Sequence, residues 1–340
     1  MSYLIILCKR ISQFIELAKG DTYYPDVQLR KSKWANIKTL LAWTVKYREV
    51  NGFHYLYGLD LIGSDWHNHL PLNGHFHSRN KMNNLGTAYD QTILLRDKFL
   101  FFKYMNDFSI PTPRVFMLMK NGVVYDTQLK ELNVSCLQSI KGEYFVKEQD
   151  GQCASFAKKI RNYSQLEGWL PLMKQKGGYI FQDLILQNSK MNQLNPESVS
   201  TLRIVTTKKG TEVSVLSSLL RVGTKKSGNV DNWAAGGLAI GINSDGRLKK
   251  YGLYKPCHGR STVQHPDTGV VFSEFVVPFY QESVDLVCRA HQLFYGIHSI
   301  GWDVAITDNG PVIIEGNDNW EISLMQACNE GLLAKWNESL

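Results

Sequence analysis

Strand-like and helical segments alternate along most of the chain between residues 87 and 317. Apolar residues have helical spacing over 87–105 and over about 282–295, and β-rich segments occupy 114–119, 143–147, 179–185, 200–207 and 212–221. Two prolines at 111 and 113 end the first helix and force an extended exit. Mixed strands and helices with several antiparallel hairpins predict an α+β or α/β fold. No G-x-G-x-x-G follows a strand and no G-x-x-x-x-G-K-[ST] occurs, so neither a Rossmann fold nor a P-loop is supported.

The first 85 or so residues are rich in aromatic and basic side chains. They predict a helix, because four apolar residues fall at helical spacing, namely Trp34, Ile37, Leu41 and Val45. The basic residues of this segment lie largely off that stripe, namely Lys33, Lys38, Lys46 and Arg48. We expect a surface helix whose apolar stripe packs on the rest of the protein. The alternative is a basic helix lying on an anionic membrane.

The composition is that of a soluble globular protein, with 340 residues of which 44% are hydrophobic and 20% charged. No run approaches the roughly 18 apolar residues of a membrane span. The apolar stretch 3–8 lacks the length and the cleavage site of a signal peptide, so a cytoplasmic location is expected. The net charge of +7 suits polyphosphate or acidic sugar substrates but is too diffuse to indicate nucleic acid.

Cysteines and histidines give no firm metal signal. The six cysteines are widely spread without a C-x-x-C pair, which predicts free, mostly buried thiols. Four histidines lie in a predicted loop over 64–80, namely His67, His69, His75 and His77. Such clusters can bind metals, but no cysteine or carboxylate pair joins them and their spacing matches no standard zinc site. A metal site at these histidines is therefore the less favoured interpretation.

The most informative segment is residues 301–317. Its Asp-Asn-Gly tripeptide at 308–310 predicts a hairpin turn, with glycine available for the left-handed position. A turn centred on the asparagine places Asp303 directly opposite Glu315, with Asn317 two residues further along on the same face. The other face is expected to be buried and carries Val304, Ile306, Val312 and Ile314.

This register brings two carboxylates and one amide oxygen together. Like charges opposite each other destabilise a sheet, and one carboxylate would be pushed towards protonation. A divalent cation removes the conflict, and an all-oxygen set with room for water and phosphate oxygens suits Mg²⁺. Asp303, Glu315 and Asn317 are therefore the predicted metal ligands. The alternative is an exposed sheet face with unrelated polar residues.

The D…E-x-N ligand pattern resembles the one that closes the ATP-grasp fold in D-alanine–D-alanine ligases and ribosomal-protein glutamate ligases. The resemblance extends, in the right order, over about residues 90–320. The segment from Asp97-Lys98 to the proline pair resembles the family's "DK…G-I-P-x-P", with Ser109 in place of the glycine. The strand ending at Lys147 resembles the one carrying the second ATP lysine, followed by a phosphate-covering loop that here contains only Gly151. The resemblance implies that Lys98, Lys147 and Gly151 contact the ATP phosphates.

Residues 179–185 resemble the hinge strand of the same family, in which a polar side chain and main-chain groups bind the adenine. The resemblance implies that Gln182 faces the adenine amine, where relatives usually have glutamate. The backbone contacts would come from Asp183, Leu184 and Ile185, and the ribose contact from Asn188 or Ser189.

The order Arg203, Arg221, then Asn232 to Gly237 resembles the "R…R…N-x-x-x-G-G" run of the glutamate-ligase branch. The resemblance implies that Arg203, Arg221 and Asn232 are catalytic and surround the transferred phosphate and the acyl group. D-Alanine–D-alanine ligases also place an arginine two residues before the first metal aspartate, where this chain has Gly301. Arg203 or Arg221 would therefore stabilise the oxyanion.

The His265-to-Gly269 segment and the strand over 300–305 resemble the sugar-transfer-associated ATP-grasp family, which is linked to bacterial surface-polysaccharide synthesis. For His265, a turn-stabilising role is preferred over that of a catalytic base. The resemblance implies an α+β ATP-grasp fold in three parts. These are a largely helical N-terminal region (1–86), a central subdomain with the phosphate loop (87–186) and a C-terminal subdomain with the metal site (187–340).

The implied reaction joins a carboxylate to an amine through an acyl phosphate, using ATP and two Mg²⁺ ions, for which Mn²⁺ is expected to substitute. By resemblance, one small-molecule substrate is a uronic acid or amino sugar and the other an amino acid. No nucleic-acid partner and no transmembrane segment are expected, and peripheral membrane contact is left open. The alternatives are a kinase on the same fold, which phosphorylates a hydroxyl, and an ATP-binding protein without turnover.

Overall fold

The computed structural model describes residues 3–83, 91–150, 156–175, 177–228 and 231–340. The α-helices in these ranges are α1 (Tyr3–Lys19), α2 (Lys33–Tyr47), α3 (Leu72–Asn83), α4 (Ile93–Arg96), α5 (Lys98–Asp107), α6 (Tyr163–Gln175), α7 (Tyr280–Gln292), α8 (Ile322–Asn329) and α9 (Leu333–Ser339). The strands are β1 (Val115–Lys120), β2 (Val123–Tyr125), β3 (Glu131–Leu132), β4 (Tyr144–Glu148), β5 (Ala157–Ile160), β6 (Gly178–Asp183), β7 (Thr201–Lys209), β8 (Glu212–Val222), β9 (Leu238–Ile242), β10 (Leu248–Leu253), β11 (Ser299–Thr307) and β12 (Gly310–Asn317).

The strands form two antiparallel six-stranded sheets. The first has the order β3-β2-β1-β6-β4-β5, and the second has the order β10-β9-β8-β7-β11-β12. Helices α1 to α3 precede both sheets in the chain. The α+β class and the helical N-terminal region are therefore confirmed, and the five β-rich segments predicted before residue 222 each contain a strand.

The first sheet is covered differently on its two faces. One face packs Val146 and Phe181 against apolar residues of α6, such as Leu170. The other face packs Ile180 against Phe99, which lies on α5. Because side chains alternate along a strand, Lys147 and Gln182 share this second face with Ile180, as the pairing of Lys147 with Ile180 confirms.

The second sheet has a larger core on one face. There the apolar side chains of β7 to β12 pack against α7 and against Phe101 and Met105 of α5. Part of the opposite face is covered by the N-terminal region and by α8 and α9, with Trp320 and Trp336 among the buried side chains. The remaining part of that face carries the polar residues described below.

The predicted helix over 87–105 is interrupted. Residues 84–90 lie outside the described ranges, and the rest forms two helices, α4 and α5. Asp97 separates them because its backbone is extended (ψ 110°) and its carboxylate accepts hydrogen bonds from the N–H groups of Phe99 and Leu100. The prediction of one continuous helix was wrong, and Lys98 becomes the first residue of a new helix.

The C-terminal hairpin is confirmed in its essential register. Asp303 pairs with Glu315, and Gly301 pairs with Asn317. The three predicted ligands therefore share one face of the second sheet. β11 also pairs with β7, which places Asp303 opposite Arg203.

The details of the hairpin differ from the prediction in two compensating ways. The loop is shorter, because Thr307 already pairs with Gly310, whose φ is 110°. A bulge then leaves Ile314 without a paired residue on β11, which restores the predicted register at the ligands. The bulge also changes the buried face: Val304, Ile306 and Ile313 are fully buried, whereas Val312 and Ile314, expected there, are partly exposed.

The helix predicted around residues 34–45 is confirmed as α2, but its orientation was predicted wrongly. The stripe expected to pack on the protein is largely in solvent, with Trp34 75% and Val45 79% exposed. The buried side chains of α2 are Leu40 and Trp43 on another face. The helix therefore uses a short, partly aromatic face for packing and leaves its longer apolar stripe uncovered.

Two smaller expectations also needed correction. Residues 64–80 are not a continuous loop, because α3 begins at Leu72. The thiols are not mostly buried: of the five cysteines in the described ranges, Cys8 and Cys257 are exposed and only Cys328 is buried. None of the helices in the described part of the chain combines the length and the apolar character that a membrane span requires.

Candidate active site

Charged side chains lie together on the part of the second sheet that the N-terminal region, α8 and α9 do not cover. Asp303 is 3% exposed and receives hydrogen bonds from two arginines. Arg203 on β7 binds it through Nε and through Nη2, the latter at 3.0 Å, and Arg221 on β8 reaches it through Nη2 at 3.0 Å. Burial alone would raise the pKa of Asp303, but the two guanidinium groups reverse this and hold the pKa below its usual value.

Two neighbours that sequence reasoning missed complete this arrangement. Asp231 accepts a hydrogen bond from Arg221 Nη2 at 3.1 Å. Thr201 accepts from Arg221 at 2.9 Å and donates its hydroxyl to Asp231. Burial lowers the pKa of Arg221, but Asp231 and Asp303 reverse that effect and raise it above its usual value. Arg221 is thus a permanently charged group fixed between two carboxylates.

Glu315 behaves oppositely to Asp303. Burial raises its pKa, and the adjacent Asp303 raises it further, because two buried carboxylates cannot easily both be charged. The two carboxyl groups are hydrogen-bonded to each other. Asn317 donates its amide to Glu315 Oε1 at 3.3 Å. The three predicted metal ligands are therefore brought together, and of the two carboxylates it is Glu315 whose pKa is raised.

The first sheet contributes Lys147. It lies on β4, is 8% exposed and shares a sheet face with Gln182, which is 5% exposed. Burial lowers the pKa of Lys147 to about 8, while the negative charge of Glu315 acts in the opposite direction. Lys147 and Glu315 belong to different sheets, so this interaction shows that the two sheets meet at the site.

Lys98 joins the same group from the N-terminus of α5. Its backbone N–H donates to the carbonyl of Gln149 at 2.8 Å, and the Gln149 side chain donates to Asp97 at 2.7 Å. These bonds tie the start of α5 to the chain that follows β4. Burial lowers the pKa of Lys98, and Glu315 again opposes this effect.

Glu315 is therefore the common neighbour of the charged residues. Its charge affects Lys98, Lys147 and Arg221, which come from a helix and from both sheets. Buried charges are costly unless they are compensated. A polyanion with a divalent cation would supply that compensation, since lysine and arginine bind phosphate and the carboxylates bind metal.

The lack of space at Gly301 explains why the guanidinium beside Asp303 comes from a neighbouring strand. A Cβ atom at this position would lie 2.7 Å from the Cβ of Trp320, a distance that no side chain can occupy. The Cδ atom of Arg203 lies 3.7 Å from the same point. An arginine cannot be accommodated at 301, and the guanidinium beside Asp303 comes from the neighbouring strand instead.

The proposed hinge residues lie at the end of β6. Arg114 forms two hydrogen bonds with Asp183, at 2.8 and 3.1 Å, and its carbonyl accepts from the Asp183 N–H. The strand is followed by Leu184 and Ile185, which have no regular secondary structure. Beyond them, the side chain of Asn188 and the backbone of Ser189 both donate to Asp308, at 2.7 and 3.1 Å. This segment is thereby attached to the hairpin turn of the second sheet.

Of three further residues singled out by the sequence, two make local contacts and one cannot be placed. The Asn232 side chain accepts from the N–H of Ala234 at 2.9 Å and so stabilises a local turn, although it follows Asp231 directly. Gly151 lies outside the described residues. His265 is buried in its own turn, with Nε2 hydrogen-bonded to the carbonyl of Gly223 at 3.0 Å, as preferred for a turn residue.

The histidines of the N-terminal region do not converge. His75 packs between two tryptophan rings, and His69 stacks on Tyr57 with ring centroids 4.9 Å apart. His67 is exposed and hydrogen-bonded to Asp65. Across the described ranges, no group of three or more His, Cys, Asp or Glu side chains is placed to hold a metal ion.

The predicted magnesium set has a different composition, with two carboxylates and an amide. Its donor chemistry fits Mg²⁺, which takes one or two carboxylates and leaves positions for water and phosphate oxygens. Each carboxylate oxygen has two acceptor sites, so the arginine bonds to Asp303 do not use up its capacity. The raised pKa of Glu315 beside a charged Asp303 is the specific feature that a cation would relieve.

Two ties outside the cluster hold the end of the hairpin in place. Arg96 donates to both carboxylate oxygens of Asp318, at 3.0 and 2.6 Å, and Arg79 donates to the carbonyl of Trp320. Arg79 is fully buried. Sequence spacing gives no signal for these contacts, which join residues more than 200 positions apart. They fix the backbone just after Asn317.

Comparison with curated protein sequences gives no match. Among solved structures, the chain resembles an L-amino acid ligase from Bacillus licheniformis (13% identity, TM-score 0.40, covering 71% of this chain and 45% of that one). It also resembles an N5-carboxyaminoimidazole ribonucleotide synthetase from Thermotoga maritima (11%, 0.38, 66% and 42%). A third is an N5-carboxyaminoimidazole synthase from Aspergillus clavatus, solved with ADP and its ribonucleotide (11%, 0.42, 71% and 52%). The chain thus spans about half the length of these proteins.

The family comparison is more direct. The model of the sugar-transfer associated ATP-grasp family matches residues 79–338, which is about three quarters of the chain. The match begins within α3 and includes both sheets and the whole charged cluster. The chain therefore belongs to the sugar-transfer associated ATP-grasp family.

Proposed function

We propose that this protein is an ATP-dependent ligase that joins a carboxylate to an amine through an acyl phosphate. One observation carries the proposal: a buried lysine, a half-buried lysine and two arginines surround a hydrogen-bonded pair of carboxylates where the two sheets meet. Family membership supports ATP as the phosphate donor. The use of ATP in turn supports a cytoplasmic location.

In this proposal the first sheet and α5 bind the nucleotide. Lys98 and Lys147 hold the ATP phosphates, and Gln182 with the backbone of 183–185 binds the adenine. The Ser189 segment, whose N–H donates to Asp308, would contact the ribose. The burial of Lys147 excludes water, which strengthens its interaction with a phosphate.

Asp303, Glu315 and Asn317 would hold magnesium, with Mn²⁺ as a substitute. When bound, the metal neutralises phosphate charge and orients the γ-phosphate for in-line transfer. A bound cation would oppose the raised pKa of Glu315 and favour its charged form, because only a carboxylate is a good ligand. Asp303 is already charged and is held in position by Arg203 and Arg221.

Arg203 and Arg221 would stabilise the negative charge that develops on the acyl group. The substrate carboxylate attacks the γ-phosphorus and the bond to the β-phosphate oxygen breaks, which releases ADP. The amine then attacks the acyl carbon. The bond between this carbon and the phosphate oxygen breaks, phosphate leaves with the electron pair, and the nitrogen loses a proton. In the described hydrogen bonds both guanidinium groups use Nε and Nη2, so Nη1 is left to face the oxyanion. One such donor is typically worth about 3 kcal/mol.

The substrates are proposed from the family alone. Its association with sugar transfer supports a uronic acid or amino sugar as one partner and an amino acid as the other. The positive charge of Lys98, Lys147 and both arginines suits an acidic substrate as well as ATP.

Trapping the intermediate separates this proposal from a kinase on the same fold. The protein is incubated with ATP, Mg²⁺, hydroxylamine and a panel of amino acids, uronic acids and amino sugars. A ligase forms a hydroxamate with its carboxylate substrate, because hydroxylamine replaces the amine. ADP release without hydroxamate for every substrate that is turned over would contradict the proposal.

The site assignment has its own test. Glu315→Gln should lower ADP release by about 10² to 10³-fold, since a metal ligand is lost while the shape is kept. Glu212→Gln is the matched control, because Glu212 is exposed at the start of β8 in the same sheet. Equal activity of the two variants would exclude Glu315 from the site.

A further inference from the structure

The first helix carries an apolar stripe that the described chain leaves uncovered. Its members follow helical spacing, namely Leu7, Ile11, Phe14, Ile15 and Ala18. Every residue from 5 to 13 is exposed. The helix is anchored near its C-terminal end, where Leu17 packs on the N-terminal core and its carbonyl accepts a hydrogen bond from the Tyr55 hydroxyl at 2.7 Å. A short helix without a packed face is marginal in water, so this segment needs a surface to rest on.

The second helix presents a similar stripe. Trp34, Leu41 and Val45 are 75%, 47% and 79% exposed. Leu40 and Trp43, which attach the helix to the protein, lie on a different side of it. The exposed stripe is therefore directed outwards, and no described part of the chain covers it.

The two stripes meet. A groove between the helices is lined by Phe14, Ile15 and Ala18 from α1 and by Trp34 and Ile37 from α2. The apolar surface is thus continuous from one helix to the other. A patch that is large, contiguous and rimmed by charged residues marks an interaction site and not random surface variation.

The charge of this region is strongly one-sided. Residues 1–48 contain nine lysines and arginines and three acidic residues, so they carry +6 of the net +7 of the whole chain. The charge that looked diffuse in the total is in fact concentrated here. The two helices themselves hold six basic residues and one acidic residue, Glu16, which is paired with Lys19 at 2.6 Å. The apolar surface is therefore framed by positive charge.

We propose that α1 and α2 together form a surface that docks on an anionic phospholipid bilayer. Amphipathic helices with basic residues beside an apolar stripe that includes tryptophan lie in the membrane interface, where apolar side chains enter the acyl boundary and lysines contact headgroups. A second copy of this chain fits the surface less well, because a symmetric contact would bring together two surfaces that each carry a net charge of +5. The membrane supplies both an apolar phase and the opposite charge.

Vesicle co-sedimentation of the full-length chain tests the proposal. We expect binding to vesicles of phosphatidylcholine with 30% phosphatidylserine, much weaker binding to phosphatidylcholine alone, and a loss of binding at high salt. Replacing Lys38 and Lys46 by glutamine should weaken binding about 25-fold, since each basic residue near the surface contributes about five-fold. Trp34→Glu with Val45→Glu should weaken it at least about ten-fold, because both side chains are removed from the apolar contact.

The matched control is Tyr295→Glu. Tyr295 is 80% exposed, like Val45, but lies after α7 and away from both helices. The Tyr295→Glu variant should bind vesicles as strongly as the unmodified protein. Thermal unfolding of each variant checks that the fold is intact.

Two results would overturn the proposal. The first is equal sedimentation of the Trp34→Glu/Val45→Glu variant and the control, including the case in which neither binds. The second is a dimer in analytical ultracentrifugation that the same double variant dissociates, without vesicle binding by the unmodified protein. That result would assign the surface to a second copy of the chain.

Discussion

Replacing His75 by phenylalanine should make the protein less sensitive to acid. His75 lies on α3 and is 1% exposed, with its ring 4.8 Å from that of Trp320 and 4.7 Å from that of Trp336. Within the described residues, neither ring nitrogen has a hydrogen-bond partner. Burial, with Arg79 and His298 adding positive charge nearby, lowers the pKa of His75 to about 3. The folded protein therefore keeps this ring neutral.

The size of the effect follows from the two pKa values. In the unfolded chain a histidine has a pKa of about 6.5. The folded state is therefore unpenalised above pH 6.5 and loses stability as the pH falls from 6.5 towards 3. At pH 5 the loss from His75 is about 2 kcal/mol, since pH 5 lies about 1.5 pH units below 6.5 and each unit is worth about 1.4 kcal/mol. For 340 residues this corresponds to a melting temperature about 3 °C lower.

Urea unfolding at pH 7.5 and at pH 5.0 measures this quantity. The stability difference between the two pH values should be about 2 kcal/mol smaller in His75→Phe than in the unmodified protein. Any packing cost of the larger ring applies at both pH values and cancels from the comparison. His77→Phe, at an exposed position on the same helix, is the matched control for the substitution. An identical pH dependence for His75→Phe and the unmodified protein would refute the reasoning.

Two other substitutions address the site and the packing of the N-terminal region. Lys147→Met should weaken ATP binding by about 10 to 100-fold in a calorimetric titration with Mg²⁺, because a buried charge on the phosphates is lost, whereas Lys158→Met on the adjacent strand, with an exposed side chain, should not. Gly331→Ala should destabilise the fold by about 3 kcal/mol or more in urea unfolding, because its φ is +90° and the new Cβ would lie 2.4 Å from the carbonyl oxygen of Asn68. Gly142→Ala, with φ +79° and open space around it, should cost only about 1 to 2 kcal/mol. Equal losses at the two glycines would show that the contact with Asn68 contributes nothing.

The C-terminal hairpin was predictable because its signals are local. The turn residues and the alternation of side chains act over fewer than twenty positions, and they placed Asp303 opposite Glu315 as observed. The shorter loop and the bulge at Ile314 were not visible, since two one-residue changes that cancel leave the distant pairs unaltered. The shorter loop and the bulge are revealed only by which isoleucine is buried, namely Ile313 in place of the expected Ile314.

Other features depend on contacts between remote parts of the chain. The spacing of apolar residues predicted α2, but could not show which face packs, because Leu40 and Trp43 are chosen by residues elsewhere in the fold. Asp231 acquires its role only when β7, β8 and β11 align Arg221 with Asp303. The break before Lys98 is a different case, because the sequence does contain its signal. Asp97 is a good N-cap residue and stands directly before a helical pattern, although the prediction of one continuous helix did not use it.

The close contact between Gly301 and Trp320 limits how this active site could be altered. An arginine at position 301 would require a smaller residue in place of Trp320, whose ring packs on His75 and Trp336. A single substitution at 301 would therefore disturb the attachment of the N-terminal region before it changed the chemistry. Moving an arginine onto this strand would succeed only if the hairpin and the aromatic cluster were exchanged as one unit.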